Sequence, residues 1–303
     1  MTKRIPRNLI EHLGWRPNQT IPLAPTPAPT PPPPAATSSS PFTIEHIIRG
    51  TTFYSDKKED SKWIGLPIAL REALTFATPA GIVASAPEFI AAKTKTEKTH
   101  DFWKNWYTVH TEENIGIDKK GRFYTKNKPV LVVVHGGGIL TPERIEQAYT
   151  EGLVDHSAKY TQKEFDELLE GKITGTSSTL PLFRLEEIKV GISSLPHRFG
   201  IIMPYETAQK TNSGYHQKKP FLENPLVLAR AGTLEHLEKF YEKSKHTDGD
   251  LGNYHPFKGR DPQQPQGRVL FVSNNYDGLS GFSILDISGR FVGVAPEAHG
   301  KKI

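Results

Sequence analysis

Five consecutive aliphatic residues, Val130 to Val134 (VLVVV), mark the clearest element in the chain. A run this short, rich in β-branched residues and unbroken by polar positions, predicts a strand buried on both faces. His135-Gly136-Gly137-Gly138 follows, and Thr141-Pro142-Glu143 then starts a helix that carries Ile145, Ala148 and Tyr149 on one side. The unit reads strand, glycine loop, helix.

Other helix starts are written in capping residues. Ser85-Ala86-Pro87-Glu88 forms a capping box that opens a short helix through Ile90 and Ala92. Asp101 begins another, whose Phe102, Trp103 and Trp106 are expected in the core. Thr161 with Glu164 opens a third, through Phe165, Leu168 and Leu169, which stops at Gly171. The C-terminal half turns towards strands. Phe199–Met203 and Leu226–Arg230 (LVLAR) are read as two of them, the second leading into a helix capped by Thr233 with Leu234, Leu237, Phe240 and Tyr241 on one face. Arg268 to Val294 holds the runs VLFVS, FSILDI and RFVGV between turn sequences at Asn275-Tyr276-Asp277-Gly278 and Ser288-Gly289. The expected fold is α/β or α+β: a mixed sheet with flanking helices and a C-terminal antiparallel meander. The apolar stretch Ala73–Ala92 is interrupted by Pro79, Pro87 and Glu88, so it is read as core elements and not as a membrane span.

The N-terminus follows a different pattern. Residues 21–41 hold nine prolines in 21 positions and no charge. Proline fixes φ and removes a hydrogen-bond donor, so residues 1–41 are expected to form a disordered, proline-rich tail, with the globular domain spanning 42–303. The tail is a spacer on this reading, or a docking peptide for a protein partner.

Charge changes the picture only slightly. Of the formal +5, residues 1–42 carry +3, because Lys3, Arg4, Arg7 and Arg16 face a single acid, Glu11. The remainder holds 34 basic and 32 acidic residues, which does not predict a nucleic-acid surface. The chain has no cysteine. That removes disulfides, thiol nucleophiles and thiolate metal sites, and it fits a cytoplasmic protein.

Three constellations could carry chemistry. The loop Gly136, Gly137, Gly138 lies between a strand and a helix N-terminus, a geometry suited to a phosphate or carboxylate. It matches neither G-x-G-x-x-G nor G-x-x-x-x-G-K-[ST]. His135-Gly136-Gly137-Gly138 shares four residues with the oxyanion loop of esterases, but no G-x-S-x-G accompanies it, and that reading is rejected. A likeness of VVVHGGG to amino-acid kinases has no support elsewhere in the chain. The second constellation is the acid-free stretch Thr207–Leu222, with His216, Lys218 and Lys219. The third is Gly252-Asn253-Tyr254-His255, which echoes Ser213-Gly214-Tyr215-His216 and precedes Arg268. The two Tyr-His pairs are expected to converge on one anion. Leu195-Pro196-His197-Arg198 is read as a structural His–Arg pair.

No H-E-x-x-H or EF-hand pattern is present, and Asp248-Gly249-Asp250 is read as a turn, so no metal site and no cofactor are expected. The resulting expectation is a domain that binds, and could turn over, an anionic small molecule such as a nucleotide or phosphate ester. No catalytic residue is assigned. The alternative is a non-enzymatic interaction protein recruited through its tail.

Overall fold

The computed structural model describes residues 42–173, 179–189, 195–260, 262, 264–274, 277–282 and 285–296. The expected tail, residues 1–41, lies outside the described residues, as do parts of the 275–278 turn and of FSILDI. The helices are α1 (Ile44–Ile48), α2 (Gly65–Ala77), α3 (Ala86–Lys95), α4 (Asp101–Lys104), α5 (Pro142–Glu151), α6 (Gln162–Leu169), α7 (Leu185–Lys189), α8 (Tyr205–Gln209), α9 (Lys218–Leu222), α10 (Pro225–Ala231) and α11 (Leu237–Ser244). The strands are β1 (Thr51–Ser55), β2 (Lys58–Glu59), β3 (Lys62–Trp63), β4 (Ile82–Val83), β5 (Tyr107–Asp118), β6 (Lys128–His135), β7 (Ala158–Lys159), β8 (Leu182–Arg184), β9 (Phe199–Pro204), β10 (Gly214–His216), β11 (Leu251–Tyr254), β12 (Gln266–Val272), β13 (Leu279–Ser280) and β14 (Gly289–Val294).

The main sheet runs β10-β11-β13-β12-β5-β6-β9-β8, with β7 also on β12. It is mixed: β8 lies parallel to β9 and β11 parallel to β13, while the central pairs are antiparallel. A smaller sheet, β1-β14-β4, packs beside it, and β2-β3 is a separate hairpin. The run at 130–134 is the strand that its composition predicts. Leu131 and Val133 enter one apolar cluster with α3, α10 and α11, while Val130, Val132 and Val134 enter another with α2, α5 and α6. Burial of both faces removes the polar phase that an alternating strand would show.

Ser85, Thr141 and Thr161 cap α3, α5 and α6 as their sequences predict. Leu226–Arg230 does not form a strand. It lies in helix α10, whose N-cap Asn224 accepts hydrogen bonds from Leu226 and Val227, and whose C-cap Gly232 is left-handed at φ 69°. Every residue from Leu226 to Ala231 is buried, so the helical period leaves no polar positions by which to recognise it. The helix expected from Thr233 begins at Leu237, and Leu234 stays exposed. In the C-terminal region β12 and β13 pair antiparallel, whereas β14 crosses to the centre of the small sheet.

Candidate functional site

A cleft of ≈ 240 Å³ opens beside the glycine loop. One wall is apolar, from Leu74, Ala77, Pro79, Ile82 and Val83; the other carries Gly136, His110, His197 and Arg198. Each polar residue is placed by a local irregularity. Val269 pairs with Glu112 while the next residue, Leu270, pairs with Val109, so His110 and Thr111 bulge out of the β5–β12 ladder. The His110 amide donates to Ala84 O at 2.9 Å and its carbonyl accepts from Gly136 N at 2.8 Å. The bulge re-aims the imidazole into the cleft. His197 and Arg198 stand just before β9 and are fixed from two sides. His197 Nδ1 donates to Glu88 Oε1 at 2.6 Å. Arg198 Nε donates to Gly136 O and Gly137 O at 3.2 and 3.1 Å.

Glu88 does two jobs. Its Oε2 closes the capping box on the Ser85 amide and hydroxyl, both at 2.8 Å, and its Oε1 orients His197. Burial opposes its ionisation, but the charge and hydrogen bond of His197, with the bonds from Ser85, hold it below the usual carboxylate value. His110 is pushed down to about 3, by burial first and then by the charges of Arg198 and His197, so its ring is neutral. Its Nδ1 is buried without a hydrogen bond of ordinary geometry to a described residue. Arg198 is lowered by burial, partly offset by Glu112, and remains a cation at neutral pH.

The glycine loop is held by the protein's own carboxylate. Glu112 Oε2 accepts from Leu140 N at 3.1 Å. A Cβ at Gly138 would stand 2.2 Å from Glu112 Oε1, and one at Gly137, where φ is 88°, would stand 2.4 Å from the His110 ring. Burial raises Glu112 to about 7, against the opposing bond from Leu140.

The remaining sequence candidates lie elsewhere. The two Tyr-His segments do meet: β10 and β11 pair antiparallel, with Gly214 opposite Asn253, and the Tyr215 and Tyr254 rings stand edge to face at 5.7 Å. Their histidines are bonded within the protein. His216 Nε2 lies 3.0 Å from Asn212 O, and buried His255 places Nε2 2.9 Å from Thr211 Oγ1 and stacks on Phe257. Lys218 forms ion pairs with Glu238 and Glu242 at 2.7 and 2.8 Å, and Lys219 is exposed beside it. Arg268 is buried over the Phe257 ring. Of the sequence candidates, only Gly136 lines the cleft. Sequence reasoning missed Glu88 and His110 and read His197 and Arg198 as structural. Glu88 was visible only as a capping residue, and nothing in the sequence places it next to a histidine 109 positions away.

Among the described residues, no group of three or more His, Cys, Asp or Glu is placed to hold a metal ion, and no helix is long and apolar enough to cross a membrane.

No family model matches the chain. No curated protein matches it. Among solved structures it is similar to one described as "Accommodation of massive sequence variation in Nanoarchaeota by the C-type lectin fold", with a TM-score of 0.59 and 24% identity over 81% of this chain and 97% of that one. The likeness shows the fold, an α+β arrangement of the C-type lectin kind.

Proposed function

We propose that the chain binds a small anion, a phosphate or carboxylate carrying a short apolar group, in the cleft at Arg198 and His197. The fold alone does not name a ligand, because one fold carries unrelated sites. The related structure is described in terms of accommodated sequence variation, and that description leaves the ligand to be read from this chain's own residues. The observation that carries the reading is Arg198. Its Nε is anchored on two loop carbonyls, it lines the cleft, and it forms no ion pair with a carboxylate among the described residues. The carboxylate whose charge acts on it, Glu112, is raised by burial to about 7 and is already bonded to the Leu140 amide, so the guanidinium is left as a ready partner for an anion, and its planar fork suits a two-oxygen head group. His197, oriented by Glu88, offers a second nitrogen on the same side. The wall of Leu74, Ile82 and Val83 suits the apolar part. In a phosphate ester or nucleotide the phosphate would occupy the cleft and the rest would extend outwards.

Isothermal titration of the full chain with inorganic phosphate, phenyl phosphate and butyrate tests this. Saturable binding is expected, weakened about tenfold or more by Arg198→Gln, as for loss of a charge-assisted bond. Absence of binding by all three, or equal binding by the variant, would sink the reading. A protein partner recruited by residues 1–41 and a cytoplasmic location remain readings of the sequence, resting on the proline content and the lack of cysteine.

A further inference from the structure

The histidines of the protein divide by how they use their ring nitrogens. A histidine that serves only the fold spends both nitrogens inside it. His135 does so, with Nδ1 3.1 Å from Thr111 Oγ1 and Nε2 3.0 Å from Ala229 O. So does His255, with Nε2 2.9 Å from Thr211 Oγ1 and Nδ1 3.4 Å from Phe257 N. His197 spends only one. Glu88 Oε1 takes Nδ1 at 2.6 Å, and Nε2 makes no hydrogen bond among the described residues. That nitrogen faces the glycine loop, 3.2 Å from where a Cβ on Gly136 would stand. Arg198 Nε is bonded to the carbonyl of the same glycine. An unspent imidazole nitrogen and a fixed cation therefore meet at one residue on the wall of the cleft.

Glu88 completes the arrangement. Against the cost of burial, His197 and Ser85 hold it below the usual carboxylate value, so it is ionised at neutral pH. A carboxylate on Nδ1 orients the ring and faces the charge that the ring carries when Nε2 is protonated as well. His110, the other imidazole in the lining, is held neutral by burial and by the charges of Arg198 and His197, and it cannot play this part.

We propose that the cleft hydrolyses phosphate monoesters, with His197 as the acid that protonates the departing oxygen and Glu88 as the residue that positions it. The inference rests on the reading of Arg198 as an anion site. Phosphoryl transfer passes through a loose transition state, in which charge lies on the phosphoryl oxygens and gathers on the leaving oxygen. Arg198 meets the first and His197 the second. The P–O bond to the alcohol breaks as Nε2 gives its proton to that oxygen, and water entering in line forms the new P–O bond. The attacking water loses a proton to solvent and Nε2 regains one, so one monoester and one water yield one alcohol and one phosphate. No protein nucleophile is required. The wall of Leu74, Ile82 and Val83 takes the carbon skeleton of the alcohol.

The test is steady-state hydrolysis of phenyl phosphate and p-nitrophenyl phosphate by the full chain, beside calorimetric binding of benzylphosphonate, which cannot be hydrolysed. The parent should turn over both esters at similar kcat, because a general acid removes most of the dependence on the leaving group. His197→Gln should lower kcat about 100-fold or more for phenyl phosphate, and about tenfold or less for p-nitrophenyl phosphate, whose leaving group departs without a proton. Glu88→Gln should show the same inequality with KM unchanged, whereas a residue that only held the fold would slow both substrates alike. If benzylphosphonate binds and neither ester is hydrolysed, or if His197→Gln slows both equally, the catalytic inference is overturned and the anion site stands. If benzylphosphonate does not bind, both are overturned. Should His197→Gln fail to fold, a series of substituted phenyl phosphates with the parent decides: a shallow dependence of kcat on the leaving group supports the acid, and a steep one overturns it.

Discussion

Glu113 Oε1 accepts a hydrogen bond from Arg230 Nε at 2.6 Å, and neither side chain is exposed. The pair joins the central strand β5 to helix α10. Arg230 also donates to Asn253 Oδ1 at 2.6 Å and Tyr254 O at 3.0 Å, which ties in β11. Gly281 passes so close that a Cβ there would stand 2.2 Å from Glu113 Oε2 and 2.4 Å from Arg230 Nη2. One polar knot therefore sets where a helix, a central strand and an outer strand meet.

Removing half of the knot should cost more than removing all of it. Arg230→Met takes from a buried carboxylate its directly bonded counter-ion, leaving only the charge of Arg268 nearby, and is expected to destabilise the fold by about 3–5 kcal/mol. The double variant Glu113→Leu/Arg230→Met should recover part of that loss, because two apolar side chains replace two desolvated charges, while buried Arg268 loses the Glu113 charge that favours its ionised form. Urea unfolding of the three proteins gives the comparison. A double variant as unstable as the single one would mean that the knot's hydrogen bonds, and not its charge balance, hold the fold.

The glycine loop makes a second prediction. At Gly137 an added Cβ meets the His110 ring at 2.4 Å, whereas at Gly152, also at positive φ, nothing lies within 4 Å. Gly152 stands at φ 78° and ψ 129°, outside the left-handed helical region, so Gly152→Ala should cost only backbone strain, about 1–3 kcal/mol. Gly137→Ala should add an overpacking penalty of about 1–3 kcal/mol, and His110→Ala in the same chain should return that part. Equal losses at the two glycines would mean that the loop moves away from β5 at little cost.

How much of this was legible in the sequence depended on whether a residue's neighbours were local. Strand β6 and the starts of α3, α5 and α6 were readable because Val130–Val134 is a continuous apolar run and Ser85, Thr141 and Thr161 act within one turn. Helix α10 was hidden because it is buried on every side, and Asn224-Pro225 was its only local signal. The cleft was half legible. Gly136–Gly138 announced a tight loop, but the carboxylate that the loop holds, Glu112, comes from the neighbouring strand, and the bulge that aims His110 appears only in the pairing with β12. The acid-free stretch at Thr207–Leu222 looked unpaired because Glu238 and Glu242, which meet Lys218, lie some 20 residues on.

Glu112 should leave a signature in acid. Its folded value is raised to about 7 from 4.5, so the folded state holds the proton more tightly. Stability from this group is therefore full below pH 4.5 and is lost as pH rises to 7, by roughly 1.4 kcal/mol per unit within that window. His110, held down at about 3, stays neutral in the fold while the unfolded chain protonates it below 6.5, so it gives the opposite slope over part of this range, and only the comparison with a Glu112 variant isolates the carboxyl. Glu112→Gln should gain on the parent between pH 4.5 and 7 and run parallel to it above. Chemical unfolding at four pH values reads the difference, and a constant offset would mean that Glu112 ionises in the fold as it does in water.

Lys93 should act in the opposite direction at higher pH. Its side chain is 1% exposed, in the α3 face that packs towards Trp103, and its Nζ donates to Ser273 O and lies 4.6 Å from the Trp103 centroid. Burial lowers its value from 10.5 to about 7, and the nearby charge of Lys98 adds to the effect. Lys98 is itself lowered, by burial and by Lys243, so three lysines share one region in which no carboxylate accounts for a shift. The folded state thus gives up a proton that the unfolded chain keeps between pH 7 and 10.5. Where the unfolded state binds more protons, stability rises with pH, here by roughly 1.4 kcal/mol per unit, and the gain levels off above 10.5. Lys93→Met keeps the stem's packing and removes the charge. It should be more stable than the parent near pH 6, and its advantage should shrink steadily as pH approaches 10. Unfolding midpoints of both proteins from pH 6 to 10 measure that convergence. If the curves stay parallel, Lys93 keeps its proton in the folded state, and the Ser273 carbonyl and the Trp103 ring together stabilise a buried ammonium better than burial destabilises it.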